Sequence, residues 1–317
     1  MAVTITDVAP DPVLTEIAQK YGEGGGYAQD RLLPSRQVAR DQFKFMTWPL
    51  RDFLQGSQYD SRRAPGASST KVRMAKGTWD TGTVHERSLM DELTDEVLGN
   101  APNPAIYEEA MVRKIMNHLR LEIEVEIESL LTDTGTFANA VPGVKWDATK
   151  DVTIEANIDA GREAFIAACG FEPNTILFPP LVANVVKRST EVRELRKYTD
   201  PTLAQNGGLG PMLWGLNIVV PGALEDEANP GASADIKRVW AQDKAILLYV
   251  NPAAATDPQA MTTITRYYSD ASPGTPWAVR SWRDPDPSTK KTWYHVETFD
   301  EIKLTAAAGY ILDDVLT

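Results

Sequence analysis

The stretch from residue 104 to residue 131 constrains the fold of this chain more than any other part of its sequence. Its apolar residues recur at spacings of three and four, which places them on one face of a single helix. They are Val112, Met116, Leu119, Ile123, Ile127 and Leu130. Asn103 before Pro104 is typical of a helix start. A helix of about 28 residues would be about 42 Å long, which suits a spine rather than a compact domain.

The second half of this stretch, LEIEVEIE at 121–128, also alternates strictly and by itself would predict a strand. We keep the helix because the apolar stripe continues through the segment without a change of phase. The helix then carries like charges four residues apart, Glu122 with Glu126 and Glu124 with Glu128. Each pair costs a few tenths of a kcal/mol, so these glutamates need water or cationic partners.

The overall composition is that of a globular protein with an acidic balance. The chain has 317 residues, of which 43% are hydrophobic and 24% charged, so a substantial core can form in one elaborated domain or two lobes. The net charge is -12, from 32 basic and 44 acidic residues. Such a balance disfavours tight nonspecific DNA binding, which depends on Lys and Arg. It suits a protein that stays soluble at high concentration, or a container wall that does not grip nucleic acid.

Neither a targeting signal nor a membrane span is predicted. The first residues, MAVTITDVAPDPVLTEI, lack a basic start followed by an apolar run, so we expect no signal peptide. The apolar stretch Ala245–Val250 is far shorter than the roughly 20 residues that span a bilayer. We therefore expect a cytosolic product with no membrane role.

The first ninety residues resemble extensions more than a core. Residues 1–44 are interpreted as an arm, with one helix at Val13–Tyr21 and a flexible break at Gly22–Gly26. The arm's basic residues are Arg31, Arg36, Arg40 and Lys44. They form either a solvated face or an arm that reaches a neighbouring acidic surface or packaged DNA. Residues 45–90 predict a strand, a polar loop carrying Arg62 and Arg63, and a second strand. Such a two-stranded excursion is marginal alone in water, so it needs a surface to lie on.

The remaining residues predict an α/β lobe followed by further strands. Helices are expected at Ile158–Ala168 and Pro180–Tyr198, and strands at Val144–Trp146, Asp151–Ile154, Thr175–Phe178, Leu216–Val220, Val239–Val250 and Tyr310–Leu312. Strands are also expected in TTITRYYSD and KTWYHVETF, on either side of a Pro- and Asp-rich loop at 281–289.

No constellation of catalytic or metal-binding residues is visible in the sequence. The three histidines, His85, His118 and His295, are isolated from one another, and each is interpreted as structural. Cys169 is the single cysteine and lies in an apolar run, so a buried helix residue is expected. The motifs of zinc enzymes, serine hydrolases and phosphate-binding loops are absent. We therefore predict a protein that is not an enzyme and needs no cofactor or metal.

The order of parts, arm, β-excursion, spine helix, α/β lobe and returning strands, resembles that of a known family. It is similar to the major capsid proteins of tailed bacteriophages and to encapsulins, which share the fold named for phage Hong Kong ninety-seven. The closest stretch is HERSLMDELTDEVLGNAPNPAIYEEAMVRKIMNHLRLEIEVEIESLL, residues 85–131. There, as in the family, a strand leaves the extended loop, passes the acidic pair Asp95-Glu96 and enters a spine helix with a Glu-rich second half.

The resemblance implies an α+β fold divided as the family's is. The parts would be an N-terminal arm at 1–44, an extended loop at 45–90, a peripheral domain at 91–154 and 251–317, and an axial domain at 155–250. Loops near 200–210 and 225–235 would approach the five-fold and six-fold axes. The implied function is that of a major capsid subunit, whose hexamers and pentamers build an icosahedral head around double-stranded DNA without reading its sequence.

The resemblance also implies partners and contacts. Because the arm is short, a separate scaffolding protein is expected, together with a portal and possible decoration proteins. Assembly would occur in the host cytoplasm, and the product would be part of the virion. The expected contact residues between subunits are Arg62, Arg63 and Lys71 in the extended loop, facing Glu122, Glu124, Glu126 and Glu128 of a neighbour. Charges of this kind set register and partner choice more than affinity.

Three alternatives stay open at this stage. An encapsulin-type compartment shares the fold and would differ in its contents. An acidic α/β enzyme would be a small oligomer with a converging polar pocket. A tail tube subunit would also self-assemble but would lack the spine helix.

Overall fold

The computed structural model describes most of the chain. The described residues are 8–22, 26–39, 41–47, 62–66, 68–69, 78–148, 152–199, 209–229, 232–257, 260–271, 275–286, 288–306 and 308–317. The loop near 200–210 lies largely outside them. The strand expected at Asp151–Ile154 does not form, because residues 152 and 153 have no regular structure and Ile154 begins a helix.

The helices expected at Val13–Tyr21 and 104–131 form within one residue of their predicted bounds. The helices are α1 (Pro12–Gly22), α2 (Gln29–Leu32), α3 (Asp95–Asn100), α4 (Pro104–Leu131), α5 (Ile154–Cys169), α6 (Pro180–Arg188) and α7 (Thr190–Thr199), with a 3-10 turn at Pro252–Ala255. The spine helix α4 forms as predicted, including its alternating half. Asn103 takes the N-cap position, but its side chain makes no capping hydrogen bond. No described helix combines the length and the hydropathy needed to cross a membrane.

The strands are mostly short, with one long exception. They are β1 (Ser35–Gln37), β2 (Gln42–Thr47), β3 (Thr78–Thr83), β4 (His85–Thr94), β5 (Ala138–Ala140), β6 (Thr175–Leu177), β7 (Met212–Leu213), β8 (Leu216–Val219), β9 (Leu224–Asp226), β10 (Ile236–Arg238), β11 (Ala245–Leu248), β12 (Ile264–Ser269), β13 (Trp277–Arg283), β14 (Lys291–Leu304) and β15 (Gly309–Leu312). The excursion predicted at 45–90 has β2 and β3 paired antiparallel at its base.

The long strand β14 organises a five-stranded sheet. Strands β12 and β13 pair with β14 along one edge, β4 pairs antiparallel along the other, and β1 adds a parallel strand beside β12. Tyr294 and Val296 of β14 are buried in the same core cluster as the apolar stripe of α4. The returning strands thus form a sheet that packs on the spine helix.

A six-stranded sheet separates two hydrophobic cores. Its strand order is β5-β15-β11-β6-β8-β7. On β11, Ile246 and Leu248 face the core that contains α4, whereas Ala245 and Leu247 face a second core built with α5 and α6. This alternation is what a strand buried on both faces requires. Because β5 and β15 lie far apart in sequence from β6 to β11, this sheet joins segments that the sequence assigned to different domains.

The N-terminal segment packs on the spine instead of standing free. Asp11 Oδ1 accepts hydrogen bonds from the amides of Val13 and Leu14, which caps α1 near the expected start. Leu14, Ala18 and the α2 residue Leu32 are buried in the same core as α4 and exclude water from it.

Several local predictions were wrong. The helix expected at Pro180–Tyr198 is broken at Ser189, whose Oγ accepts a hydrogen bond from the amide of Val192 and so starts α7 as a new helix. Residues 144–146 form no strand, because Trp146 makes a single backbone bond to Val315 rather than a ladder. The strand predicted at Val239–Val250 is limited to β11, and α5 begins four residues before its predicted start at Ile158. The helices α2 and α3 were not predicted.

Candidate assembly surface

The loop arginines expected to contact a neighbour lie on the surface. Arg62 and Arg63 are exposed, and an Nη of Arg63 donates to Ser69 Oγ at 3.4 Å within the same loop. Lys71 lies outside the described residues. Two guanidinium groups side by side on an exposed loop provide a cationic surface suited to a carboxylate of another molecule.

The basic residues of the N-terminal segment are spread over three elements. Arg31 lies at the exposed end of α2, Arg36 is half-buried on β1, and Lys44 is exposed on β2. Arg40 lies outside the described residues. These side chains therefore come from separate elements and do not line one helix face.

Two of the four spine glutamates join an internal ionic network. Arg87 on β4 contacts Glu122 at 3.2 Å, contacts Glu126, and donates from Nε to Asp300 at 2.8 Å. Asp300 is fully buried and also accepts from Arg266 Nε at 2.7 Å. Burial lowers the pKa of Arg87, but Asp300 and Glu126 together raise it by more than burial lowers it, so the guanidinium stays charged. The network ties β4, β12 and β14 to α4, and the side chain of Glu122 is still 57% exposed.

Glu124 holds the N-terminal segment and a distant loop on α4. It is fully buried, and Oε1 accepts from the amide of Ala28 at 2.8 Å and from Trp240 Nε1 at 2.7 Å. Oε2 accepts from the amide of Gln29 at 3.2 Å. Burial raises the pKa of the Glu124 carboxyl, and this effect exceeds that of the three hydrogen bonds, which lower the pKa. For Glu124 the structure therefore assigns an internal role instead of the expected contact with a neighbour, because its carboxylate is already surrounded by donors of its own chain.

The fourth glutamate has a similar but weaker role. Glu128 accepts from the amide of Ala241 at 3.3 Å. Burial raises its pKa, whereas this bond and the charge of Lys244 lower it. Both contacts could have been predicted from the position of these glutamates on the buried side of the apolar stripe, where a carboxylate needs hydrogen-bond donors.

Apolar residues that the sequence analysis did not single out are exposed on two β elements. In the β9–β10 hairpin, Leu224 is 52% and Ile236 65% exposed, and the strand register places them diagonally on one face. On β4, Leu89 and Met90 are also exposed. Leu224 and Ile236 share one face, so the hairpin is the better candidate for a contact surface, whereas Leu89 and Met90 are consecutive on a strand and point to opposite faces. The hairpin lies in the loop region 225–235.

The described residues offer limited chemistry. A cavity of about 820 Å³ lies between the N-terminal segment and α6, and Arg31, Asn184 and Lys187 are among its lining residues, which include no histidine or cysteine. One group of potential metal ligands exists, Glu86 with His295 and Glu297. No arrangement of nucleophile and base is found in the described part of the chain, and the buried thiol of Cys169 has its pKa raised to about 11 by burial.

A family model described as phage capsid protein matches residues 79–308, which is well over half of the chain. Among curated proteins, none shows significant similarity.

The solved structures that match share the fold at low sequence identity. A phage-related protein from Bordetella bronchiseptica RB50 superposes with a TM-score of 0.70 at 19% identity, covering 97% of this chain and 98% of the other. The capsid of cyanophage P-SCSP1u gives a TM-score of 0.57 at 10% identity, covering 90% and 86%. A virus-like particle from Pyrococcus furiosus gives 0.53 at 12% identity, covering 95% and 98%.

Proposed function

The chain belongs to the phage capsid protein family, and from this membership we propose that it assembles into the hexamers and pentamers of an icosahedral head that encloses double-stranded DNA. Family membership makes the chain a structural shell subunit of the virion. The observation that carries the proposal is the match over residues 79–308, which includes β4, the spine helix α4 and most strands of the five-stranded and six-stranded sheets.

We propose a role for each segment of the chain from the corresponding part of the family's fold. Residues 1–44 serve as the arm and 45–90 as the extended loop over a neighbour. The peripheral domain comprises 91–154 and 251–317, and the axial domain 155–250, whose sheet is completed by β5 and β15. The exposed face of the β9–β10 hairpin supports a contact near the symmetry axes, because Leu224 and Ile236 are uncovered in a single subunit.

The proposed charged contact joins the loop arginines to a neighbour's spine. Arg62 and Arg63 are exposed, and Glu122 is the spine glutamate with the most exposed side chain among those in the Arg87 network. A pair of this kind directs the loop to one register on the next subunit. Lys71 and the basic residues Arg31, Arg36, Arg40 and Lys44 are further candidates for contacts with a neighbour or with packaged DNA.

Charge reversal tests this contact. The double variant Arg62→Glu/Arg63→Glu should remain folded by circular dichroism but fail to form shells in negative-stain images and size-exclusion profiles. Adding Glu122→Lys should restore shells, because the charges are complementary again. Glu96→Lys is the control, because it makes the same change of charge at an exposed position on α3. It should not restore shells. Normal shells from the double variant would rule out the contact, and a monomer or dimer from the unmodified protein under every condition would rule out the shell.

The contents of the particles separate the head from its closest alternative. A phage head requires a portal and packages DNA, whereas an encapsulin-type compartment holds a cargo protein. The family match is to phage capsid proteins, which favours the head. We propose that a separate scaffolding protein directs assembly in the host cytoplasm, that decoration proteins bind the finished shell, and that the subunit has no catalytic activity. Nuclease-protected double-stranded DNA inside purified particles is the expected result.

A further inference from the structure

Three potential metal ligands lie together on β4 and β14, on the face of the sheet that points away from the spine helix. Residues 295 and 297 of β14 pair with residues 90 and 88 of β4, and alternate residues of a strand share a face. His295 and Glu297 therefore point to the same side, opposite to Tyr294 and Val296, which pack in the core. Glu86 is two residues further along β4 on that side.

The distances suit coordination by a single ion. One ligand atom from each of the three side chains lies within 4.8 Å of the other two. Nδ1 of His295 and Oε2 of Glu297 are 3.6 Å apart. Two ligands on a tetrahedral zinc ion are separated by about 3.4 Å when the metal–ligand distances are about 2.0–2.1 Å. Glu86 is exposed, so its side chain can move the short remaining distance.

The burial of the histidine is hard to explain without a ligand. His295 is 4% and Glu297 2% exposed, and His295 Nδ1 has no hydrogen-bond partner among the described residues. Buried polar atoms are normally bonded. Arg280 contacts Oε1 of Glu297 and leaves Oε2 directed at the imidazole.

We propose that Glu86, His295 and Glu297 bind a divalent transition-metal ion, with Zn²⁺ as the best match. One imidazole nitrogen with two carboxylate oxygens is a zinc-type set, and the exposed side of Glu86 leaves room for water as a fourth ligand. Mg²⁺ and Ca²⁺ prefer all-oxygen sites. Arg280 acts as a positioning residue for Glu297, and its charge limits the affinity.

The bound ion would join the edge strand β4 to the central strand β14. Strand β4 is the segment through which the chain returns from the extended loop. This inference goes beyond the shell function and does not depend on it, because it concerns contacts within one subunit. It also revises the sequence-based expectation that His295 is structural and that the chain has no metal site.

Isothermal titration calorimetry of the EDTA-treated, dialysed subunit with ZnCl₂ tests the site. We expect one zinc ion per subunit and no detectable binding of MgCl₂. Glu86→Gln and His295→Gln should each weaken zinc binding by about tenfold or more, since a lost ligand costs at least as much as a lost outer-shell partner. Glu86 is exposed, so its variant tests the site even if the His295 variant does not fold. His85→Ala and His118→Ala remove exposed imidazoles outside the site and should leave binding unchanged.

Two results would overturn the inference. The first is an absence of zinc binding to the unmodified subunit at 100-fold excess of zinc over protein. The second is zinc binding that survives Glu86→Gln unchanged, or that disappears in His85→Ala or His118→Ala, because surface histidines would then account for it. Neither result bears on shell assembly, which the charge-reversal variants test separately.

Discussion

Replacing Glu124 tests whether one buried carboxylate holds the N-terminal segment on the spine helix. Its two oxygens accept from the amides of Ala28 and Gln29 and from the indole of Trp240. Glu124→Ala removes the acceptor for all three donors. Glu124→Gln keeps one oxygen and places an amide NH₂ group, which is itself a donor, where the other oxygen was.

The expected magnitudes follow from the number of donors left unpaired. A buried donor that loses its partner costs about 1–3 kcal/mol, so Glu124→Gln should lower the free energy of unfolding by that amount. Glu124→Ala leaves all three donors unpaired, so it should lower the free energy of unfolding by more, roughly 3 kcal/mol or above at about 1–3 kcal/mol for each donor. Glu122→Gln is the matched control on the same helix. Because the Glu122 side chain is 57% exposed, its variant should stay within about 0.5 kcal/mol of the unmodified protein.

Urea unfolding monitored by tryptophan fluorescence provides the measurement, at concentrations where the subunit is unassembled. Hydrogen exchange adds a local readout, because the amides of Ala28 and Gln29 should lose protection in Glu124→Ala and keep it in the Glu122 control. If Glu124→Ala unfolds at the same urea concentration as that control, the carboxylate is not holding the segment.

The pH dependence gives a second check on Glu124. Burial raises its folded pKa above the ordinary 4.5, so the folded state binds the proton more tightly than the unfolded state. The resulting stability is fully present below pH 4.5 and is lost as the pH rises through the folded pKa. The difference in unfolding free energy between the unmodified protein and Glu124→Gln should therefore grow as the pH is lowered from 8 toward 4.5. A difference that shrinks over this range would contradict the raised pKa.

Two further predictions concern other buried groups. Asp300→Ala leaves the guanidinium groups of Arg87 and Arg266 without their shared carboxylate. It should therefore lower the free energy of unfolding, measured by urea denaturation, by roughly 3–5 kcal/mol. The control Asp159→Ala changes an exposed residue and should shift this free energy by less than about 0.5 kcal/mol. Burial raises the pKa of the Cys169 thiol to about 11, so about one part in a thousand should be thiolate at pH 8. Labelling by a disulfide reagent should therefore be at least a hundredfold slower in the native subunit than in urea. Native labelling within tenfold of the unfolded rate would contradict this prediction.

The spine helix could be predicted because its signal is local. The apolar stripe of α4 keeps one phase from Val112 to Leu130, about five turns at 3.6 residues a turn, and this outweighs the strand-like alternation at 121–128. The strand at Leu216–Val219 and the helix α1 were likewise predicted within a residue or two. In each case the residues that decide the structure are neighbours in sequence.

The contacts that organise the charged residues could not be predicted, since they join distant segments. Arg87 meets Asp300 across 213 residues, and Trp240 meets Glu124 across 116. His295 looked isolated in sequence and was interpreted as structural, yet strand pairing brings it beside Glu86. The break at Ser189 was missed for a different reason, since its hydroxyl competes with the helix for a backbone amide.

The two groups of charged residues differ in how they can contribute to assembly. On the spine, Glu124 and Glu126 are committed to donors of their own chain, so their loss should weaken the subunit before it weakens any contact between subunits. Arg62 and Arg63 lie on an exposed loop, so their replacement should leave the fold intact and act only when a neighbour is present. We propose that exposed groups of this kind, and not the internally paired ones, set the register between neighbouring subunits. Comparing subunit unfolding with shell formation in the same variants separates the two roles.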